Sequence, residues 1–307
     1  MRLAPALIAI VALLGGCARA QGQALPPAGV AELHVDCRGE PSASPTVILE
    51  SGAFGSAADW DLVLDDLARG GRACAYDRAG IGRSPARTGD RGVTAIAEEL
   101  KGLLDRLGER GPVILVGHSN GALYVETFAA MWPDRVAGLV YVNGVNSDAL
   151  DHPDLIRDLT TERRLAALAA WAGDVGLSGQ VSGALTRMSG FSGKGADRKR
   201  LDLSDAAVLR VARDEDRAVI DGLQVARDLG GSPRAIPTAV VAGSSHPEAA
   251  LSRSWKAAEE APARRAERRL IIDVPGSTHT SPLVRDRDYL VKAVDWLRAI
   301  SAPAAQP

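Results

Sequence analysis

The stretch "LVGHSNGA", residues 115–122, decides how the chain is read. An apolar run ends at Val116, and helical spacing resumes in "LYVETFAAMW". Between them Gly117-His118-Ser119-Asn120-Gly121 fits G-x-S-x-G, the nucleophile-elbow pattern. In that pattern a tight strand-to-helix turn holds the serine in a strained conformation. Glycines two positions either side let two backbones approach with no Cβ between them. Ser119 Oγ would then stand at the edge of a sheet, with the first amides of the helix beneath it.

Reading outward from the turn, short apolar runs rich in β-branched residues alternate with helical patterns. "AELHVDC" (31–37), "TVILES" (46–51), "RACAYD" (72–77), "PVILVG" (112–117) and "VAGLVYVNG" (136–144) read as strands. The run "GVTAIAEELKGLLDRLG" (92–108) reads as a helix closed by Gly108. This βαβαβ rhythm predicts an α/β fold: a parallel sheet with helices on both faces. It breaks over 147–232, which is helix-like with glycine interruptions, and resumes with "IPTAVVAG" (236–243), "RLIIDVPG" (269–276) and a last helix to Ile300. The expected organisation is a core of residues 30–146 and 233–300, a helical cap over 147–232, and a tail at 301–307. An insertion after a strand can cover a site at the strands' carboxyl ends, and Leu168, Trp171, Leu177 and Met188 are its candidate pocket residues.

The chain has 307 residues, 46% hydrophobic, with only 4% aromatics, so its core must rest on Ala, Val, Leu and Ile. A formal net charge of −2 gives no reason to expect nucleic acid as a partner. Arg-rich stretches such as "APARRAERR" read as solvated helix faces. No HExxH, zinc-spaced cysteine pair or dinucleotide fingerprint is present, so neither metal nor cofactor is expected. The lone G-x-G of "RAGIGRS" is too little for a phosphate cradle.

Residues 1–20 read as a signal segment, with a positive start at Arg2 and an apolar run too short to span a bilayer, followed by a linker at 21–29. The expected location is therefore exported, periplasmic or secreted. Two processing routes stay open: "ARA" before Gln21 is a small-x-small cleavage site, and "LLGGC" resembles a bacterial lipoprotein signal that would lipidate Cys17 and tether the protein to a membrane. Export leaves Cys37 and Cys74 as the remaining cysteines. They can be a disulfide if their strands are neighbours, or two buried thiols if not.

A nucleophilic serine needs a base. His279, in the loop after the last strand-like run, can reach the same sheet edge as Ser119; His246 is the rival, and His118 should pack away from the pocket. The oxyanion needs two backbone N–H donors. Asn120, the residue after the serine, should give one, and the "SGAFG" loop after "TVILES" the other, through Ala53 or else Phe54.

Together these segments resemble the α/β-hydrolase family. "SGAFGSAADW" looks like its oxyanion loop, "YDRAGIGRS" like the signature after its next strand, "VGHSNGA" like its elbow and "GSTHTSP" like its histidine loop. The resemblance implies an eight-stranded, mostly parallel sheet, an antiparallel first strand pair, and a helical cap between strands six and seven. It also implies that the strands of Cys37 and Cys74 are adjacent, which favours the disulfide.

The sequence departs from the family at the triad acid. The position past the seventh strand holds His246 and the alternative past the sixth holds Asn143, neither a carboxylate. Asn143 could orient His279 through its amide oxygen, Glu248 or Asp148 could supply the carboxylate, or the acid could be missing altogether. Replacing a triad aspartate by its amide costs about 10⁴ in kcat. A serine at the elbow disfavours dehalogenase and epoxide-hydrolase chemistry, which needs a carboxylate nucleophile. Acyl transfer to water from a small or medium ester, thioester, lactone or amide remains the expected function. The alternative is an exported binding protein that keeps the fold with little turnover. Oligomeric state is not legible.

Overall fold

The computed structural model describes residues 32–243 and 249–301. Its centre is a seven-stranded sheet, β1 (Val35–Arg38), β2 (Val47–Glu50), β3 (Ala73–Tyr76), β4 (Val113–His118), β5 (Val136–Val142), β6 (Thr238–Ala242) and β7 (Arg269–Asp273), in the order β1-β3-β2-β4-β5-β6-β7. Every pairing is parallel except β1 with β3. Strands β2, β3, β4 and β6 are buried at every position, as expected for parallel strands covered on both faces.

On one face pack α1 (Asp61–Ala68) and α9 (Arg287–Ser301), through Val63, Leu64, Leu67, Leu290, Val294 and Leu297. On the other lie α2 (Val93–Arg106) and α3 (Asn120–Met131), through Leu100, Leu103, Leu104, Val125 and Phe128. Both cores are largely aliphatic, as the composition required. Gly108, at φ 74°, follows the end of α2 in the left-handed conformation that closes many helices.

Between β5 and β6 the chain forms α4 (Pro153–Ala172), α5 (Ser178–Met188), α6 (Gly193–Leu203) and α7 (Ala206–Asp228). The α8 helix (Ala249–Arg265) then leads to β7. Two implications of the resemblance differ from this arrangement. The described residues hold seven strands rather than eight, one for each apolar run in the sequence, so the helical segment follows the fifth strand and not the sixth. The antiparallel neighbour of the first strand is β3 rather than β2, because β2 is held in parallel register between β3 and β4.

That order creates a switch point: β2 pairs with β3 on one side and β4 on the other, so the loops after β2 and β4 leave neighbouring strand ends. Glu50 lies opposite Gly117 in register, which brings the "SGAFG" loop beside the "GHSNG" turn.

Cys37 and Cys74 face each other across the β1/β3 pair and form a disulfide, with Cα atoms 4.0 Å apart and a sequence separation of 37. Closing a loop of that length stabilises a fold by about 4 kcal/mol in the chain-entropy model. Cys74→Ala is expected to lower unfolding stability in urea by about 3 to 4 kcal/mol. Reductant should move the wild-type midpoint to that of the variant and leave the variant unmoved.

Candidate active site

Ser119 is the single residue between β4 and α3, at φ 54° and ψ −127°, a left-handed conformation that a side-chain-bearing residue adopts only under constraint. The constraint is close approach on both sides. A Cβ on Gly117 would lie 2.5 Å from the Gly121 carbonyl oxygen, and one on Gly121 would lie 2.4 Å from the Glu50 carbonyl oxygen. The loop after β2 passes as closely, since a Cβ on Gly52 would sit 2.7 Å from the Ser119 Cβ. The Ser119 main chain is tied in turn: its N–H donates to Val142 O and its carbonyl accepts from Ala122 and Val145.

The "SGAFGS" loop is fastened by its own side chains. Ser51 Oγ accepts from Trp60 Nε1 at 2.8 Å and donates to Ser56 O at 2.9 Å, and Trp60 is fully buried. Phe54 sits at φ 55°, with its carbonyl accepting from Lys199 Nζ of α6 at 3.0 Å. Lys199 is itself buried and paired with Asp59 at 2.8 Å. Burial raises the pKa of Asp59, and the Lys199 ammonium opposes that rise.

Ser119, His279, Ala53 and Phe54 open onto one cavity of about 340 Å³. Its apolar wall comes from Leu165, Ala169, Leu185, Met188 and Phe191 of the helical segment. Of the four pocket residues expected there, only Met188 lines it. Leu168 and Trp171 are exposed, because α4 turns the face of Leu165, Ala166 and Ala169 toward the cavity, and Leu177, beyond the end of α4, is exposed as well. Asn120 is the first residue of α3, where a main-chain N–H has no acceptor within the helix.

His118 was expected to pack away from the pocket, yet it lines the same cavity. Its Nε2–H donates to the His279 carbonyl at 2.9 Å, and the two rings lie 4.8 Å apart. Burial, with the charge of His279 adding to it, pushes the His118 pKa down to about 3, so the ring is neutral and serves as a donor that holds the histidine loop.

Asn143, at φ 41° and buried, reaches that loop from the end of β5. Its Nδ2 donates to His279 O at 2.9 Å and Thr278 O at 3.4 Å, while its Oδ1 accepts from Gly243 N at 3.1 Å. The Asn143 amide thus grips the main chain of the loop that carries His279.

Asp148 is spent elsewhere. Both of its oxygens bind Arg265 of α8, and it is absent from the cavity wall. Its commitment to a cation also corrects the reading of "APARRAERR" as a wholly solvated face. Glu248, the rival base His246 and Cys17 lie outside the described residues.

Besides the Lys199-paired Asp59, two carboxyls that the sequence reading passed over line the cavity, Glu162 of α4 and Asp216 of α7. Their surroundings, and for Glu162 the neighbouring Asp216 and Asp158, raise them to about 7 and about 6. Asp216 accepts from Asn120 Nδ2 at 2.8 Å. Nothing in the local pattern marked these acids, which sit in charged helices that read as solvated.

Comparison with known proteins places the architecture. A family model for the alpha/beta hydrolase fold matches residues 45–175, from the loop after β1 through the Ser119 turn to the end of α4. Over that segment the chain matches the α/β-hydrolase fold family, and the fold of the wider chain is shared with solved structures. It is 32% identical over 116 residues to the designated carbamate hydrolase RutD of Azorhizobium caulinodans, covering 38% of this chain and 42% of that one. It is 33% identical over 132 residues to an AB hydrolase superfamily protein of Gibberella zeae, covering 41% and 40%. The match thus spans about two-fifths of these curated relatives' length. Among solved structures the fold is shared with a thermophilic esterase from Thermogutta terrifontis, at TM-score 0.63 and 21% identity over 88% of this chain and 94% of that one. A Pseudomonas aeruginosa protein designated an epoxide hydrolase superposes at TM-score 0.72 and 20% identity, with the same coverage. At such identities the hydrolase fold is what is shared.

The contacts around the turn set a test. Gly121→Ala drives a methyl into the Glu50 carbonyl and is expected to cost about 3 kcal/mol or more in urea unfolding. Gly111→Ala, with no atom within 4 Å of the added carbon, should stay within about 0.5 kcal/mol of wild type.

Proposed function

We propose that the protein is a serine hydrolase that cleaves a small or medium acyl compound, an ester or a thioester, lactone or amide, through an acyl-enzyme at Ser119. The observation that carries this reading is the strained Ser119 at φ 54°, opening onto the same cavity as His279. A serine held in that conformation has no structural use that glycine would not serve better.

The reaction runs as follows. Ser119 Oγ attacks the carbonyl carbon while His279 takes its proton, and the main-chain N–H groups of Asn120 and Ala53 receive the oxyanion. Collapse expels the leaving group, which receives the proton from His279, and leaves the acyl ester on Ser119. Water, deprotonated by the same imidazole, attacks that ester and restores the serine. His118 and Asn143 support this cycle by holding the His279 carbonyl, which fixes the loop and so the ring. Glu248 remains the carboxylate proposed to complete the triad, since Asp148 is bound to Arg265. The apolar wall of Leu165, Leu185, Met188 and Phe191 suits an alkyl or aryl acyl group.

The setting proposed is outside the cytoplasm, with a membrane tether through Cys17 as one form of it. The Cys37–Cys74 disulfide supports export, because such bonds persist in oxidising compartments.

A p-nitrophenyl ester series from acetate to octanoate tests the activity. Turnover is expected with the shorter esters, and Ser119→Ala should lose at least about 10³-fold in kcat/KM. Equal hydrolysis by wild type and Ser119→Ala would overturn the reading. Asn143→Asp restores a carboxylate near the alternative acid position, but it cannot donate to the Thr278 and His279 carbonyls. It is therefore expected to lower kcat about tenfold, as a weakened support for general base catalysis. A gain would mean instead that a missing acid limits the enzyme.

A further inference from the structure

Consecutive residues of α7, Glu215 and Asp216, are both buried; Glu215 reaches the loop before Ala53 through Arg78, and Asp216 binds Asn120 directly. Glu215 receives Arg78 through two guanidinium nitrogens, Nε at 3.1 Å and Nη2 at 2.8 Å. The same guanidinium donates to Ser51 O at 2.6 Å, to Gly52 O at 3.1 Å and to Glu50 Oε1 at 2.7 Å. It is thereby clamped between a carboxylate of the helical segment and the main chain that immediately precedes Ala53. Arg91 binds Glu215 from the other side. Burial alone would raise the Glu215 pKa, but the Arg78 and Arg91 charges outweigh it and hold the residue ionised. One residue on, Asp216 Oδ1 accepts from Asn120 Nδ2 at 2.8 Å, and Asn120 supplies the other main-chain donor.

A buried network of this kind is a poor source of stability, because desolvating each ion costs about as much as the pairing returns. Its geometry is specific in a way that general packing does not require. Two neighbouring carboxylates on one helix, one through Arg78 and the other directly, hold two chain segments, 51–52 and 120, that are far apart in sequence and meet over Ser119. We propose that Glu215 and Asp216 are positioning residues that set the spacing and aim of the Ala53 and Asn120 amides, so that the oxyanion hole is complete only when α7 is seated on the core. This rests on Ser119 acting as the nucleophile. It adds that the helical segment, besides shaping the cavity, holds the transition-state donors in place.

Such a role acts on the transition state far more than on substrate binding. The test uses p-nitrophenyl acetate, whose acyl group is too small to reach the outer cavity wall, with the full mature protein and the variants Glu215→Gln and Asp216→Ala. Loss of one aligned oxyanion donor costs about 10²–10³ in kcat, and a donor present but misaimed should cost less. Each variant is therefore expected to lose about tenfold to a hundredfold in kcat with KM within about twofold. Affinity for a small alkylboronic acid, which forms a tetrahedral adduct on the serine, should fall in step with kcat/KM. Asp216→Asn keeps an acceptor oxygen for Asn120 and should recover part of the loss. Should Glu215→Gln fail to fold, with two arginines left facing an uncharged amide, Asp216→Ala carries the test alone, since Asp216 is hydrogen-bonded to the neutral Asn120. Folded variants with unchanged kcat, or with a raised KM and unchanged boronate affinity, would overturn the proposal. A wild type that hydrolyses no ester would overturn the catalytic reading and this proposal with it, whereas active wild type and equally active variants would overturn this proposal only.

Discussion

Everything at the site depends on one close approach, that of the main chain after β2 to the main chain between β4 and α3. The Glu50 carbonyl lies where a Gly121 side chain would be, and Gly52 lies against the Ser119 Cβ. No side chain larger than hydrogen fits at those contacts, and Ser119 takes a positive φ because its neighbours leave it no relaxed alternative. The sheet supplies the approach: β2 and β4 are parallel neighbours at a switch point, so their following loops emerge side by side. A serine, an open loop and a helix N-terminus are thus brought together by strand order before any side-chain chemistry is considered.

The side chains then fix what the backbone brings together. Trp60 and Ser51 stiffen the loop after β2 from within, and Lys199 and Arg78 tie its carbonyls to α6 and α7. His118 and Asn143 perform the matching task for the His279 loop, each donating to the same carbonyl. Burial keeps His118 neutral, so a second imidazole within 5 Å of His279 acts as a tether and does not compete for the proton. The family likeness covers residues 45–175, which hold the serine, and the geometry joins them to the later segment that holds the histidine.

Much of this was legible in the sequence, for physical reasons. Seven apolar runs became seven strands because continuously buried parallel strands need unbroken apolar stretches. Gly117 and Gly121 marked the turn because their absent Cβ atoms are what permit it. The facing cysteines followed from the family's strand order and not from their spacing. The expected eighth strand came from the same likeness, and the described residues hold seven. Local pattern could not show where long charged side chains end. Lys199, Glu215 and Asp216 sit in helices whose charges look solvated, and they are buried only because remote segments offer Asp59, Arg78 and Asn120 as partners, while the half-buried Asp148 is claimed by the remote Arg265. His118 was misplaced for a related reason: its neighbour in the cavity, His279, is 161 residues away.

The central claim is that Ser119 is a reactive nucleophile, and the most direct measurement is the mass of the protein after exposure to a fluorophosphonate, with peptide mapping of the adduct. One phosphonyl group on the peptide containing Ser119, lost in Ser119→Ala and formed much more slowly in His279→Ala, is the expected result. Intact protein with no adduct, or an adduct on another residue that persists in Ser119→Ala, would contradict it.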